Sequence, residues 1–87
     1  MLSLYLSLIE NETEKTKFEA VYYTYRKQMF SLANSILNSK QDAEDAVHDV
    51  FYSVASSHMD IIKNAKNESD IRNYLLKSVK NASISLI

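Results

Sequence analysis

The residues best placed to do chemistry lie in one stretch, Ser39 to Ser57, SKQDAEDAVHDVFYSVASS. Asp42, Asp45, Asp49 and Tyr52 are spaced 3, 4 and 3, which lines them along one side of a helix. His48 adjoins them. An exposed row of carboxylates with one aromatic is suited to docking on a basic partner, where complementary charge steers the encounter and fixes register. The same acids also suit a helix start and a solvated face, so composition alone leaves both readings open.

Catalysis needs groups that converge, and the sequence offers none. The two histidines, His48 and His58, are ten apart, out of phase on a helix. No His-x-x-x-His or Glu-x-x-His spacing occurs, so no catalytic metal is expected. Glu44 and His48 stand at i and i+4, a spacing that on a solvated face reads as a surface contact. There is no Cys, so disulfides, thiolate zinc sites and a Cys nucleophile are excluded. No Gly-rich phosphate loop or nucleophile elbow is present. The expectation is a binding protein rather than an enzyme, with no cofactor and no metal.

The elements that must hold the acidic row are helices. The 87 residues contain no Gly and no Pro, where average usage would supply about six and four. Tight hairpins are hard to build without them. One small all-α domain is expected, an orthogonal or antiparallel bundle of about four helices. In the central helix Ala43, Ala46, Val47, Val50, Phe51 and Val54 form the inner stripe. Ser39 and Asp42 have the form of a capping box, and Asp42, Glu44 and Asp45 favour the positive end of the helix dipole.

Before it, Asn11 to Thr16 reads as a polar linker ending in a helix start, with Asn11 or Thr13 as cap. A long helix then runs to about Leu37. Phe18, Val21, Tyr22, Tyr25, Met29, Leu32, Ala33 and Ile36 form its stripe. Tyr23, Phe30 and Leu37 lie off that stripe and call for a second neighbour. Met1 to Ile9 fits both strand and helix periods, and the helical context favours a short packed helix. It is too short to span a bilayer and lacks the marks of a signal peptide. A membrane-surface helix is its remaining alternative.

After the central helix, Ser57 to Asn67 reads as a looser segment with an apolar patch at Met59, Ile61 and Ile62. Asn67 or Ser69 then caps a last helix with Ile71, Tyr74, Leu75, Ser78, Val79, Ala82 and Leu86 inward. Its pattern still runs at Ile87, with no stop signal, which suggests a chain cut short of a natural boundary. The three Asn-x-Ser/Thr sequons, at Asn11, Asn67 and Asn81, read as chance without a secretion signal.

The formal net charge of −1 and pI of about 6.1 imply no bulk attraction to nucleic acid. The charge is unevenly spread, however. Residues 1–39 are balanced. Residues 40–60 set Lys40 against Asp42, Glu44, Asp45, Asp49 and Asp60. Residues 61–87 set Lys63, Lys66, Arg72, Lys77 and Lys80 against Glu68 and Asp70. An acidic block followed by a basic one points to two partners.

Three runs taken together carry a resemblance. They are Phe30-Ser31-Leu32-Ala33-Asn34-Ser35-Ile36-Leu37, then Asp42-Ala43-Glu44-Asp45-Ala46-Val47-His48-Asp49-Val50-Phe51, then Ile71-Arg72-Asn73-Tyr74-Leu75-Leu76-Lys77-Ser78-Val79-Lys80-Asn81. Over residues 16–87 the chain resembles region 2 of the sigma-70 family of bacterial RNA polymerase sigma factors, in particular the small extracytoplasmic-function group. The middle run is fairly specific to that group; the last is a looser match.

The resemblance implies that the central helix docks on the clamp helices of the largest catalytic subunit of core RNA polymerase. Asp42, Asp45, His48, Asp49 and Tyr52 would form that surface. His48 stands where the family usually has Gln. It also implies that the following loop and last helix bind the melted −10 promoter element through Lys66, Asn67, Ser69, Arg72, Asn73, Lys77, Lys80 and Asn81. Lys and Arg would neutralise phosphates and Asn would read base edges. Tyr74 matches a usual family Trp, but its phase points inward, to the core. An anti-sigma factor is admitted as a further partner, and the location implied is the cytoplasm. The chain departs from the family at Ser83-Ile84-Ser85-Leu86-Ile87, where relatives continue with Arg and Lys. It also carries nothing like region 4, so a fragment or an incomplete sigma factor is implied. The rival reading is a helical interaction module that binds polymerase or another regulator without reading DNA.

Overall fold

A computed structural model describes residues 1–87 and contains five helices and no strand. They are α1 (Leu2–Ser7), α2 (Glu12–Leu37), α3 (Lys40–Ser57), α4 (Met59–Lys63) and α5 (Glu68–Ser85). The all-α expectation holds, with one helix more than the four expected. The extra helix is α4, which falls in the segment read as loose. It is only five residues long, too short for periodicity to reveal, yet it buries Ile62.

The three long helices start where short polar side chains replace missing backbone partners. Asn11 Oδ1 accepts from Glu14 N–H at 3.0 Å, Ser39 Oγ from Asp42 N–H at 3.2 Å, and Asn67 Oδ1 from Asp70 N–H at 3.1 Å. Because Asn11 is the cap, Glu12 to Thr16 belong to α2 rather than to a linker. The chain has no Gly to end α2, and Asn38 takes that role. It adopts a left-handed conformation (φ 51°), and its N–H donates to Asn34 C=O at 2.8 Å. Ser39 then caps α3 at once, so a two-residue turn folds α3 back along α2.

The hairpin of α2 and α3 is covered on two faces. α5 packs against both helices on one face, through Ile71, Leu75, Val79 and Ser83. α1 packs against both on the other, through Tyr5. The core joins Phe18, Val21, Tyr25, Met29 and Ala33 of α2 to Ala43, Ala46, Val50, Phe51, Val54 and Ala55 of α3. Phe18, Met29 and Phe51 are fully buried. Full burial of side chains of this size contributes about 1.5–3 kcal/mol each.

Two expectations about the core are corrected. Leu86 is not an inner residue of the last helix. It caps that helix at its C-terminal end, beyond the last turn, and is 46% exposed. The buried residue there is Ser83, whose hydroxyl donates to its own helix at Val79 C=O (2.7 Å), so burial leaves no polar atom unpaired. Tyr23 meets no second neighbour and is 56% exposed, whereas Phe30 and Leu37 do pack against the core. No helix is long and apolar enough to cross a membrane.

Candidate functional site

The site is built from α3 outward. At 100° per residue, Asp42, Asp45, Asp49 and Tyr52 fall within about 80° of one another. All four are exposed. The opposite side of α3 is held down by Ala43, Ala46, Val50, Phe51 and Val54. Burial of that side is what turns the acidic row outward. None of the four carboxylates Asp42, Glu44, Asp45 and Asp49 joins an ion pair; the two pairs present are Lys15–Glu12 and Lys63–Glu14. The row is therefore a line of uncompensated negative charge.

His48 stands apart from this row. It is half-buried, and its Nδ1 lies 2.7 Å from Tyr5 Oη. The Tyr5 hydroxyl is pushed up to about 12, first by burial and then by the neighbouring Tyr22 and Asp49 charges. The phenol therefore keeps its proton, and the two groups share one hydrogen bond whose direction is set by which imidazole nitrogen carries the proton. Tyr5 and Tyr52 flank the ring at centroid distances of 5.5 and 6.0 Å. His48 is thus the hinge between the acidic row and α1, and only its far edge is open to a partner. The Glu44–His48 surface contact is replaced by this bond to α1.

Beside His48 the α1 face of the hairpin opens into a cleft of about 630 Å³. α1 fills only one end of that face, with Tyr5 packed on Phe18 and Phe51 at 5.8 Å. Beyond Met1 and Tyr5 the groove runs toward the α2–α3 turn over Tyr22, Phe30 and Val47. One wall carries Arg26 and Lys27 of α2, the other Glu44 and Asp45 of α3. The Arg26 guanidinium lies over Tyr22 and Tyr23 at 5.4 and 5.2 Å from their centroids.

The residues expected to meet DNA are all exposed: Lys66, Asn67, Ser69, Arg72, Asn73, Lys77, Lys80 and Asn81. They do not act as one surface. Asn73, Lys77 and Lys80 fall within about 60° on α5, with Asn81 about 40° to one side and Arg72 about 80° to the other. Asn67 and Ser69 are engaged in starting the helix: Asn67 Oδ1 accepts from both Asp70 N–H and Ser69 Oγ–H (2.6 Å). At the start of α5 the Tyr25 hydroxyl donates to the Glu68 carboxylate. That hydrogen bond is the main reason the Tyr25 phenol is raised, with burial adding and the Arg72 charge opposing. Tyr74 is half-buried and packs against the core, as its phase predicts.

Sequence reasoning missed Tyr5 and the cleft. Tyr5 sits 43 residues from His48, and nothing local pairs them. Tyr22, Arg26 and Lys27 of α2 meet Glu44 and Asp45 of α3 around the cleft, an approach that no local signal reports. No group of three or more His, Cys, Asp or Glu side chains is placed to hold a metal ion. No family model, curated protein or solved structure matches the chain, so the site is read from its own geometry.

Proposed function

We propose that this chain is a sigma region 2-like domain that acts by binding: it docks on core RNA polymerase through α3 and holds melted −10 promoter DNA along α5, in the cytoplasm. The observation that carries the reading is the Asp42–Phe51 run, whose family-like acids Asp45 and Asp49 stand exposed and unpaired on a well-capped helix. Such a row suits the basic edge of a partner helix, here the clamp helices of the largest polymerase subunit. Lys77, Lys80 and Asn73 offer the DNA half two phosphate contacts and one base-reading amide on a common face.

A second reading, a polymerase- or regulator-binding module without DNA recognition, is favoured by one observation. The α5 surface ends in exposed Ile84, Leu86 and Ile87 rather than in cations. Binding to a single-stranded −10 oligonucleotide over a range of salt separates the two. The DNA-binding reading expects affinity that falls steeply with salt, with a slope set by about two to four neutralised phosphates at roughly −0.7 each. Polymerase binding with no oligonucleotide affinity would favour the second reading.

A further inference from the structure

α5 carries a third cation beside its two-lysine face. Arg72 lies about 80° around the helix from Lys80. Glu68 precedes it at i−4, the spacing and order at which a Glu and an Arg ordinarily pair on a helix surface. No such pair forms: the two ion pairs of the chain are Lys15–Glu12 and Lys63–Glu14. Asp70, the other acid of that turn, lies about 160° around the helix from Arg72. Arg72 is therefore exposed with its charge uncompensated.

The reason lies on α2. Tyr25 is 7% exposed, and its hydroxyl donates to the Glu68 carboxylate. Tyr25 and Glu68 form the one side-chain hydrogen-bonded pair that ties residues 64–70 to another helix. The other side-chain bonds of that segment, from Asn67 to Asp70 N–H and to Ser69, are local. The bond to Glu68, with burial, raises the phenol, so it stays protonated and keeps donating through neutral pH.

We propose that Tyr25 is a positioning residue for nucleic-acid binding: it claims the Glu68 carboxylate, withholds it from Arg72, and leaves that guanidinium free for a strand phosphate. With α5 read as the DNA-binding face, on which this role rests, Arg72 becomes a third phosphate contact beside Lys77 and Lys80. Arg suits the part, since its planar fork matches phosphate bidentately. A released Glu68 would act twice against binding, neutralising Arg72 and repelling the incoming phosphate. Tyr25 does its work without touching the strand.

Four full chains test the role: the unaltered protein, Y25F, E68Q and Y25F/E68Q, each checked for helix content by circular dichroism. A single-stranded −10 oligonucleotide is titrated into each over a range of salt. The Arg72 side-chain Nε–H resonance is followed in the free proteins. Tyr25→Phe should weaken binding about three- to tenfold and flatten the salt slope by roughly 0.7, the loss of one phosphate contact. Its Arg72 resonance should shift as Glu68 pairs with the guanidinium. E68Q alone should bind within about twofold of the unaltered chain. Y25F/E68Q should recover the unaltered affinity, slope and Arg72 resonance, because a Gln amide carries no charge to neutralise Arg72.

That rescue separates positioning from mere support. The double variant lacks the Tyr25 bond as fully as Y25F does, so lost support would leave it weak. Equal binding by the unaltered chain and Y25F, an unmoved Arg72 resonance, or a Y25F loss that E68Q fails to reverse would overturn the proposal. An unaltered chain with no oligonucleotide affinity would overturn the DNA reading itself, and the role of Tyr25 with it.

Discussion

On one face of the α2–α3 hairpin an 18-residue helix sets down Ile71, Leu75, Val79 and Ser83. On the other a six-residue helix sets down Tyr5 and stops. α5 starts from a side-chain cap with Glu68 and Asp70 in its first turn, whereas α1 has neither a side-chain cap nor an acid there. The α5 face is closed by aliphatic packing. The α1 face is closed halfway, by an aromatic cluster of Tyr5, Phe18, Tyr22 and Phe51 and one hydrogen bond to His48. The difference teaches where this small domain keeps its stability and where it leaves its hairpin uncovered. Long capped helices bury the core, and the short uncapped one leaves a charged, aromatic trough exposed beside the acidic row.

The largest expected effect lies on the closed face. Leu75 is 1% exposed. Leu75→Ala should cost about 2–5 kcal/mol, seen as a lower urea midpoint, because the packed helices cannot collapse fully into the gap. In a domain whose total stability is of order 5–10 kcal/mol this approaches unfolding. A loss below about 1 kcal/mol would mean that α5 is not the main clamp.

The next effect belongs to the open face and is set by pH. Folding raises the Tyr5 phenol from 10.0 to about 12, so the folded state holds that proton more tightly than the unfolded chain does. The associated stability is complete below pH about 10 and is lost as pH rises toward about 12, by roughly 2–3 kcal/mol. Tyr25, also raised, adds to the same alkaline loss. Denaturant melts across this window should show the decline, and Tyr5→Phe should remove part of it. The same substitution near neutral pH deletes only the bond to His48, at about 1 kcal/mol. It should also speed hydrogen exchange of the α1 amides, which open locally, while leaving α5 amides near the global limit. Equal protection of α1 and α5 in the unaltered protein would erase the contrast between the faces. The smallest effect is at Tyr23, exposed on α2, where Tyr23→Ala should change stability by no more than about 0.5 kcal/mol.

The closed face was largely legible in the sequence, and the open one was not. The α3 stripe, the Ser39 cap and the end of α2 at about Leu37 are local signals, and each appears where spacing places it. The α5 stripe failed only at its end, where Leu86 passes beyond the last turn and Ser83 satisfies its hydroxyl within the helix. The trough depends on where α1 comes to rest, and that is decided by Tyr5 meeting Phe51 and His48 more than forty positions away. Periodicity cannot report such a contact. It placed His48 beside Asp45 and Asp49 correctly along the helix, but could not show that a tyrosine from the first turn of the chain would occupy one side of it. The acidic row itself needed only helical phase, which is why its exposure was foreseeable.

The most direct test of the functional account is a pull-down of core RNA polymerase with the unaltered chain and with D45K/D49K, helix content being monitored in both. The unaltered chain should retain polymerase, and the double reversal should weaken that retention more than about tenfold with unchanged circular dichroism, because it turns an attractive row into a repulsive one. Polymerase binding that survives the reversal intact, or an unaltered chain that does not bind polymerase at all, would contradict the assignment of α3 as the docking face.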